Sequence, residues 1–124
     1  MTDEKKKMLF FLTHGMNAPQ LARAALMFAS ISAAMDVETV LYCIMEGAEI
    51  LVKGRVDEEI VKPGKPTLRQ RMNEAIEQGV KFQVCDRTLK AKDIDEEDLI
   101  EEAEVVGAAT LIDLALDCDG VLCF

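Results

Sequence analysis

The chain has 124 residues, half of them hydrophobic, and a formal net charge of −9. This length is typical of one domain, and the hydrophobic fraction suffices for a core, which excludes a largely disordered chain. An acidic surface repels phosphate backbones, which argues against direct binding of nucleic acid.

Short apolar segments separated by helical segments follow a charged amino terminus. Residues 1–7 are expected to form a flexible tail, and residues 8–124 a single domain. Strands are expected at 8–12, 39–44, 80–85, 104–106 and 121–124. Helices are expected at 18–35, 45–53, between Thr67 and Gly79, at 86–92 and at 107–117. This alternation predicts a three-layer α/β sandwich, with about five mostly parallel strands and helices on both faces.

Capping and turn residues mark several of these boundaries. Asn17 is placed to cap the helix that begins near Ala18. Thr67 and Gln70 have the spacing of a capping box, and Gly79 stands where a helix would stop.

The sequence also predicts how buried or mobile three of the segments are. The helix at 18–35 is apolar on most of its faces, so we expect it to be nearly engulfed, in part by another subunit. The polar segment 55–65 is expected to be a mobile excursion or a plain surface loop. The alternation of apolar and polar residues in 80–85 indicates a strand with one more open face.

Four cysteines occur in the chain, and no segment has the length of a membrane span or the features of a signal peptide. A cytoplasmic location is therefore expected, where reduced thiols are the default. The cysteines form no Cys-x-x-Cys pair, and the chain has one histidine. This spacing does not fit a zinc site or an iron–sulfur cluster, so no metal or other cofactor is expected.

Candidate functional residues follow the ends of the predicted strands, because ligands of open parallel sheets bind outside the carboxyl ends of the strands, near the point where the strand order reverses. In chain order these residues are Thr13, His14, Cys43, Cys85, Asp86 and Arg87.

Cys85 is the strongest of these candidates. A strand tip presents its sulfur at a rim, and a helix that begins there directs N–H groups at it, which favours the thiolate. Arg87 would add positive charge and Asp86 negative charge, so the local balance stays open. The alternative is that Cys85 is a small buried hydrophobe, as free cysteines usually are. Cys43 is weaker, because its apolar neighbours suggest core packing.

The loop after the first strand has two interpretations. His14 could orient a thiolate, donate a proton or hold an anion, and it could equally be a surface or capping residue. Gly15 and Asn17 could form an anion-binding turn ahead of the helix. The loop has neither the Gly-x-Gly-x-x-Gly nor the Walker pattern, so support for a nucleotide site is weak.

Several segments, in their order and spacing, resemble the DsrE/DsrF-like sulfur-relay family over residues 8–124. They are the first strand with its glycine-containing loop and alanine-rich helix, the strand that ends Phe82-Gln83-Val84-Cys85-Asp86, the helix start Gly107-Ala108-Ala109, and the closing Val121-Leu122-Cys123-Phe124.

The resemblance implies a flavodoxin-like sheet, assembly as a homotrimer or hexamer, and a cysteine that carries sulfur as a persulfide or a thiosulfonate. That position falls on Cys85. The implied partners are small sulfur-carrier proteins or a sulfur donor. Some relatives carry a second cysteine shortly after the first, whereas this chain has none between Cys85 and Cys118.

Two hypotheses follow. In the first, the protein is a sulfurtransferase whose Cys85 thiolate accepts sulfane sulfur, while His14, Asn17 and backbone amides line the pocket. In the second, the protein is a non-catalytic binding or assembly module, in which a crevice at the strand ends holds a small ligand or a protein tail and Cys85 merely packs.

Overall fold

A computed structural model describes residues 5–124. Five strands form one sheet: β1 (Lys7–Leu12), β2 (Glu38–Cys43), β3 (Lys81–Cys85), β4 (Ala103–Val106) and β5 (Gly120–Cys123). Four helices accompany them: α1 (Pro19–Ala34), α2 (Leu68–Glu77), α3 (Asp86–Ala91) and α4 (Ala108–Asp117). Short 3-10 helices occupy Met45–Leu51, Arg55–Glu58 and Glu96–Asp98. Residues 1–4 of the expected tail lie outside the described residues, and β1 already begins at Lys7.

The sheet has the strand order β4-β3-β2-β1-β5, and all neighbouring strands are parallel. The predicted three-layer α/β architecture is confirmed. The strand order reverses between β1 and β5, whereas the flavodoxin order 2-1-3-4-5 reverses between its first and third strands. Cys85 therefore lies on an internal strand but away from the reversal.

The order of the strands explains how the helices are divided between the two faces. The connections from β1 to β4 all step in one direction, and right-handed crossovers place them on one face. The connection from β4 to β5 returns across the sheet, so α4 lies on the opposite face. There Leu111 and Leu114 of α4 pack against Leu9, Val40 and Tyr42.

The larger part of the core lies between the sheet and α1. Small residues at Ala22, Ala25 and Ala29 of α1 are fully buried and let the helix approach the strands closely. Leu26 of α1 and Leu41 of β2 are also fully buried, and each contributes about 1.5–3 kcal/mol through removal from water.

The start of α1 differs from the sequence prediction. The residue at the N-cap is Ala18, which provides no side-chain cap, and Pro19 at the first helical position has no N–H to satisfy. The Oδ1 atom of Asn17 accepts a hydrogen bond from the backbone N–H of Gly15 at 3.0 Å instead. The prediction that Asn17 caps α1 is therefore wrong, because this side chain closes its own loop.

The capping box of α2 is confirmed. The backbone N–H of Gln70 donates to the Thr67 hydroxyl at 3.1 Å, and the Gln70 side chain accepts from the backbone N–H of Thr67 at 2.9 Å. Gly79 adopts a φ of +86°, a left-handed conformation that ends the helix with little strain only in glycine.

The polar segment after β2 is anchored in its middle. The buried carboxylate of Glu59 pairs with Arg23 of α1, and its second oxygen accepts from the backbone N–H of Leu68 at 2.7 Å. The segment is thus joined to both α1 and the start of α2, while Ile60 and Val61 beside the anchor stay exposed.

The loop after β1 and the segment after β2 are in close backbone contact at the carboxyl edge of the sheet. A β-carbon at Gly15 would overlap the carbonyl oxygen of Glu46, and a β-carbon at Gly47 would overlap the carbonyl oxygen of Leu12. The loop after β1 and the loop after β2 therefore meet backbone against backbone, which only glycine permits. Within residues 5–124, no helix is both long enough and apolar enough to cross a membrane.

Candidate functional site

Cys85 is the last residue of β3 and the N-cap residue of α3. It keeps 7 % of its accessible surface, and its thiol donates a long hydrogen bond of 3.9 Å to Oδ1 of Asp86. Cys85 packs in one cluster with Leu9, Val40 and Tyr42. The sulfur thus stands at a strand tip, as expected, but with little surface open to solvent.

The strand register separates the side chains of this region onto two faces. Tyr42 pairs with Gln83, and Cys85 pairs with Val106. Because side chains alternate along a strand, Tyr42, Gln83, Cys85 and Val106 share the face on which α4 packs. Cys43, which pairs with Val84, lies on the opposite face.

Tyr42 is the polar side chain that the structure adds to the Cys85 site. Its ring is fully buried, and its hydroxyl donates to the carbonyl oxygen of Gly107 at 3.1 Å. Burial, together with the neighbouring Cys85 and Asp86, raises the pKa of Tyr42 above its ordinary value of 10.0. The phenol therefore keeps its proton at neutral pH and is available as a donor.

Gln83 corrects the expectation of an open strand face. Only 8 % of its surface is exposed, and among the described residues its buried Oε1 atom has no hydrogen-bond partner. The alternation of polar and apolar residues in β3 does not mark a solvated face here. A buried polar atom without a partner is unusual in a packed core and is frequent at functional sites.

His14 and Asn17 lie on the loop after β1. The Thr13 hydroxyl donates to the carbonyl oxygen of Phe124 and lies 3.1 Å from Nδ1 of His14. Strand β2 lies between β1 and β3. The loop after β1 and Cys85 at the end of β3 are therefore two strand spacings apart, or about 10 Å. His14 and Cys85 share the carboxyl edge of the sheet but stand at different strands.

Cys43 is fully buried in the core beneath α1. Burial raises the pKa of the Cys43 thiol far above its ordinary value of 9.0. This thiol is therefore protonated at neutral pH and is separated from Cys85 by the sheet itself.

The two charged residues after Cys85 differ in exposure. Asp86 is half-buried beside the sulfur, whereas Arg87 is exposed and forms no ion pair with a carboxylate among the described residues. Asp86 is thus the charged side chain that the structure places in contact with the sulfur. Sequence reasoning missed Tyr42 and Gln83, although the spacing of two residues between Gln83 and Cys85 already places both on one face.

These features define a class of protein: a three-layer α/β domain with a thiol at the carboxyl end of an internal parallel strand. The sequence profile of the DsrE/DsrF-like family matches residues 6–124. The chain belongs to this family.

Similar proteins come from archaea and bacteria. The chain is 29 % identical over 100 residues to the uncharacterized protein MJ0760 of Methanocaldococcus jannaschii, covering 81 % of this chain but 36 % of that protein. It is 27 % identical over 118 residues to MJ0989 of the same organism, covering 95 % and 99 % of the two chains. The crystal structure of the YchN protein of E. coli matches with a TM-score of 0.76 at 18 % identity, covering 98 % of this chain and all of the other.

Proposed function

We propose that this protein is a sulfur carrier of the sulfurtransferase type, which holds sulfane sulfur on Cys85 as a persulfide or a thiosulfonate and passes it to a partner protein. The observation that carries the proposal is the position of Cys85 in a DsrE/DsrF-like chain, at the carboxyl end of β3 with a protonated phenol beside it. In loading, the Cys85 thiolate attacks a sulfane sulfur, a bond from Sγ to that sulfur forms, and the S–S bond of the donor breaks. The rest of the donor leaves as a thiolate, or as thiosulfate when tetrathionate is the donor and the product is a thiosulfonate.

Transfer reverses these roles. A thiolate of the partner attacks the sulfane sulfur bonded to Sγ of Cys85, that bond breaks, and Cys85 leaves as a thiolate. The low exposure of Cys85 requires that the partner reach the sulfur along the carboxyl edge. We assign His14 and Asn17, which lie on that edge, to the approach of the partner rather than to the sulfur. A relay through free thiols needs a reducing compartment, for which we propose the cytoplasm.

The proposal is tested by incubating the protein with polysulfide or tetrathionate and weighing the intact chain. We expect a mass gain that Cys85→Ser abolishes, because no other cysteine combines a strand tip with a neighbouring donor. Cys123→Ser, which alters an exposed thiol on β5, is the matched control and should retain the adduct. An adduct that survives in Cys85→Ser would contradict the proposal. Absence of any adduct, with native Cys85 alkylated no faster than an ordinary thiol, would favour the non-catalytic binding module.

We further propose that the chain assembles as a homotrimer or a homohexamer. Large apolar side chains stay exposed along α1, α4 and the edge strand β5; they are Phe28, Ile31, Ile112, Leu116, Val121 and Leu122. Exposed apolar side chains beside an unpaired strand edge are typical of subunit contacts.

Sedimentation tests this assembly, with 13.7 kDa as the mass of one chain. We expect the wild type to sediment as three or six chains, and Leu116→Glu to shift the population to the monomer, because the carboxylate would be desolvated in the contact. Ile60→Glu changes a similarly exposed apolar residue on the polar segment before α2 and should leave the assembly intact. A wild-type monomer would contradict the proposal.

A further inference from the structure

The path of the Tyr42 side chain crosses the Cys85 site. Tyr42 belongs to β2, and the carbonyl oxygen that accepts its hydrogen bond belongs to Gly107, directly after β4. The strand between β2 and β4 is β3, and its residue at the level of Val106 is Cys85. The phenol therefore reaches over β3 next to the sulfur, and Tyr42 and Cys85 belong to one packed cluster.

We propose that Tyr42 is a positioning residue of this site, whose hydroxyl donates to Gly107 when Cys85 is a thiol and turns to the sulfur when Cys85 is a thiolate. The inference rests on the proposed function only in taking Cys85 as the working thiol. It names a residue that stabilises the nucleophilic form of that thiol.

The chemistry of the hydroxyl supports this alternation. A phenol has one proton to donate, so it serves one acceptor at a time. A neutral thiol accepts weakly, and the Gly107 carbonyl is then the better partner. A thiolate carries full charge, and hydrogen bonds to charged acceptors are about twice as strong as neutral ones. Because burial raises the pKa of Tyr42, the hydroxyl keeps its proton over the range in which a thiol ionises.

The surroundings of Cys85 leave its thiolate in need of a hydrogen-bond donor. Asp86 places negative charge beside the sulfur, and α3 has only six residues, so its amino terminus offers little compensation. Titratable groups on the same face are Asp86, Glu104 in register with Gln83, Cys123 in register with Phe11, and Cys118 after α4. At the amino edge this face carries Lys7, Glu38 and Lys81, and Lys7 pairs with Asp117 of α4. The unpartnered Oε1 of Gln83, in register with Tyr42, also distinguishes this face from plain core.

The first test measures the alkylation rate of Cys85 as a function of pH, resolved by peptide mass spectrometry. In Tyr42→Phe we expect the pH midpoint of the rate to move upward by about one pH unit, the size expected for loss of a hydrogen bond to a charged group. Ser30→Ala is the matched control, since it removes another buried hydroxyl that donates to a backbone carbonyl, that of Leu26 at 2.8 Å. It should leave the midpoint unchanged.

A second test needs no substitution of Tyr42. The chain has one tyrosine and no tryptophan, so tyrosine fluorescence reports on Tyr42 alone. We expect the emission to change at the pH at which Cys85 ionises, and Cys85→Ser to remove that step. Fluorotyrosine, a better hydrogen-bond donor of nearly the same shape, should move the alkylation midpoint downward, which tests the inference even if Tyr42→Phe folds poorly.

An unchanged midpoint in folded Tyr42→Phe, or in the fluorotyrosine protein, together with a flat fluorescence signal would overturn the inference. Neither measurement requires sulfur transfer. If the wild type loads sulfur but the alkylation midpoint is unchanged in the Tyr42 variants, the role of Tyr42 alone is rejected. If the alkylation midpoint moves in the Tyr42 variants but the wild type never loads sulfur, the proposed function alone is rejected.

Discussion

Alanine in place of Gly15 or Gly47 is expected to lower the free energy of unfolding by about 3 kcal/mol or more, measured by urea denaturation. At each position the new β-carbon would overlap a backbone carbonyl oxygen, that of Glu46 or of Leu12. Leu12 is the last residue of β1, and Glu46 lies in the 3-10 helix after β2. Neither backbone carbonyl can rotate away as a side chain can, so the two loops must separate. The loss is large against the 5–15 kcal/mol that typically stabilises a domain.

Gly120→Ala provides the matched control. Its β-carbon would meet the sulfur of Met8, the far end of a flexible side chain that can adopt another rotamer. We expect a loss well below that of the other two variants. Equal losses for all three substitutions would show that the loops are not held by the close backbone contact.

Alkaline pH is expected to destabilise the fold. Burial raises the pKa of Cys43 above its ordinary value of 9.0, and burial with neighbouring charge raises the pKa of Tyr42 above 10.0. Above these values the unfolded chain releases protons that the folded chain retains. The stabilisation is therefore complete below pH 9.0 and declines as the pH rises. Each group contributes a slope of at most about 1.4 kcal/mol per pH unit.

Denaturation curves recorded on both sides of these pH values measure the decline. Cys43→Val removes the fully buried thiol and keeps the site apolar, so the decline that begins near pH 9.0 should become shallower. A residual decline is expected there, because burial also raises the pKa of the partly buried Cys118. Cys123→Ser, at an exposed thiol, should follow the wild type. A free energy of unfolding that stays constant through this range in the wild type would refute the assignment of Cys43 as a buried, protonated thiol.

Local patterns in the sequence account for most of the secondary structure. The apolar runs at β1 and β2, the capping box at Thr67 and the glycine stop at Gly79 all act over a few residues, so they can be read without knowledge of the fold. The N-cap of α1 could not be predicted in this way. Asn17 has the right side chain for the role but closes a turn onto Gly15, and the tight contact between loops sets that geometry.

The candidate site was predictable in part, because one of its residues is marked by a local pattern. Cys85 ends a recognisable strand, so its place at the carboxyl edge follows from the local pattern and the rule for ligands of parallel sheets. Tyr42 and Gln83 looked like a core residue and a surface residue. The place of Tyr42 beside the sulfur depends on which strands are neighbours and on how these strands are aligned. The burial of Gln83 depends on tertiary packing over its face of the sheet.

The place of Cys85 at the end of a strand was determined by the sequence alone, since strand periodicity and the residues that follow it are local. Only the tertiary structure decided what stands around its sulfur. The order β4-β3-β2 carries the phenol of Tyr42 across β3 to Gly107, and it leaves Cys43 on the far face. Strand order depends on contacts between residues far apart in the chain, and these contacts leave no periodic signal within any one segment.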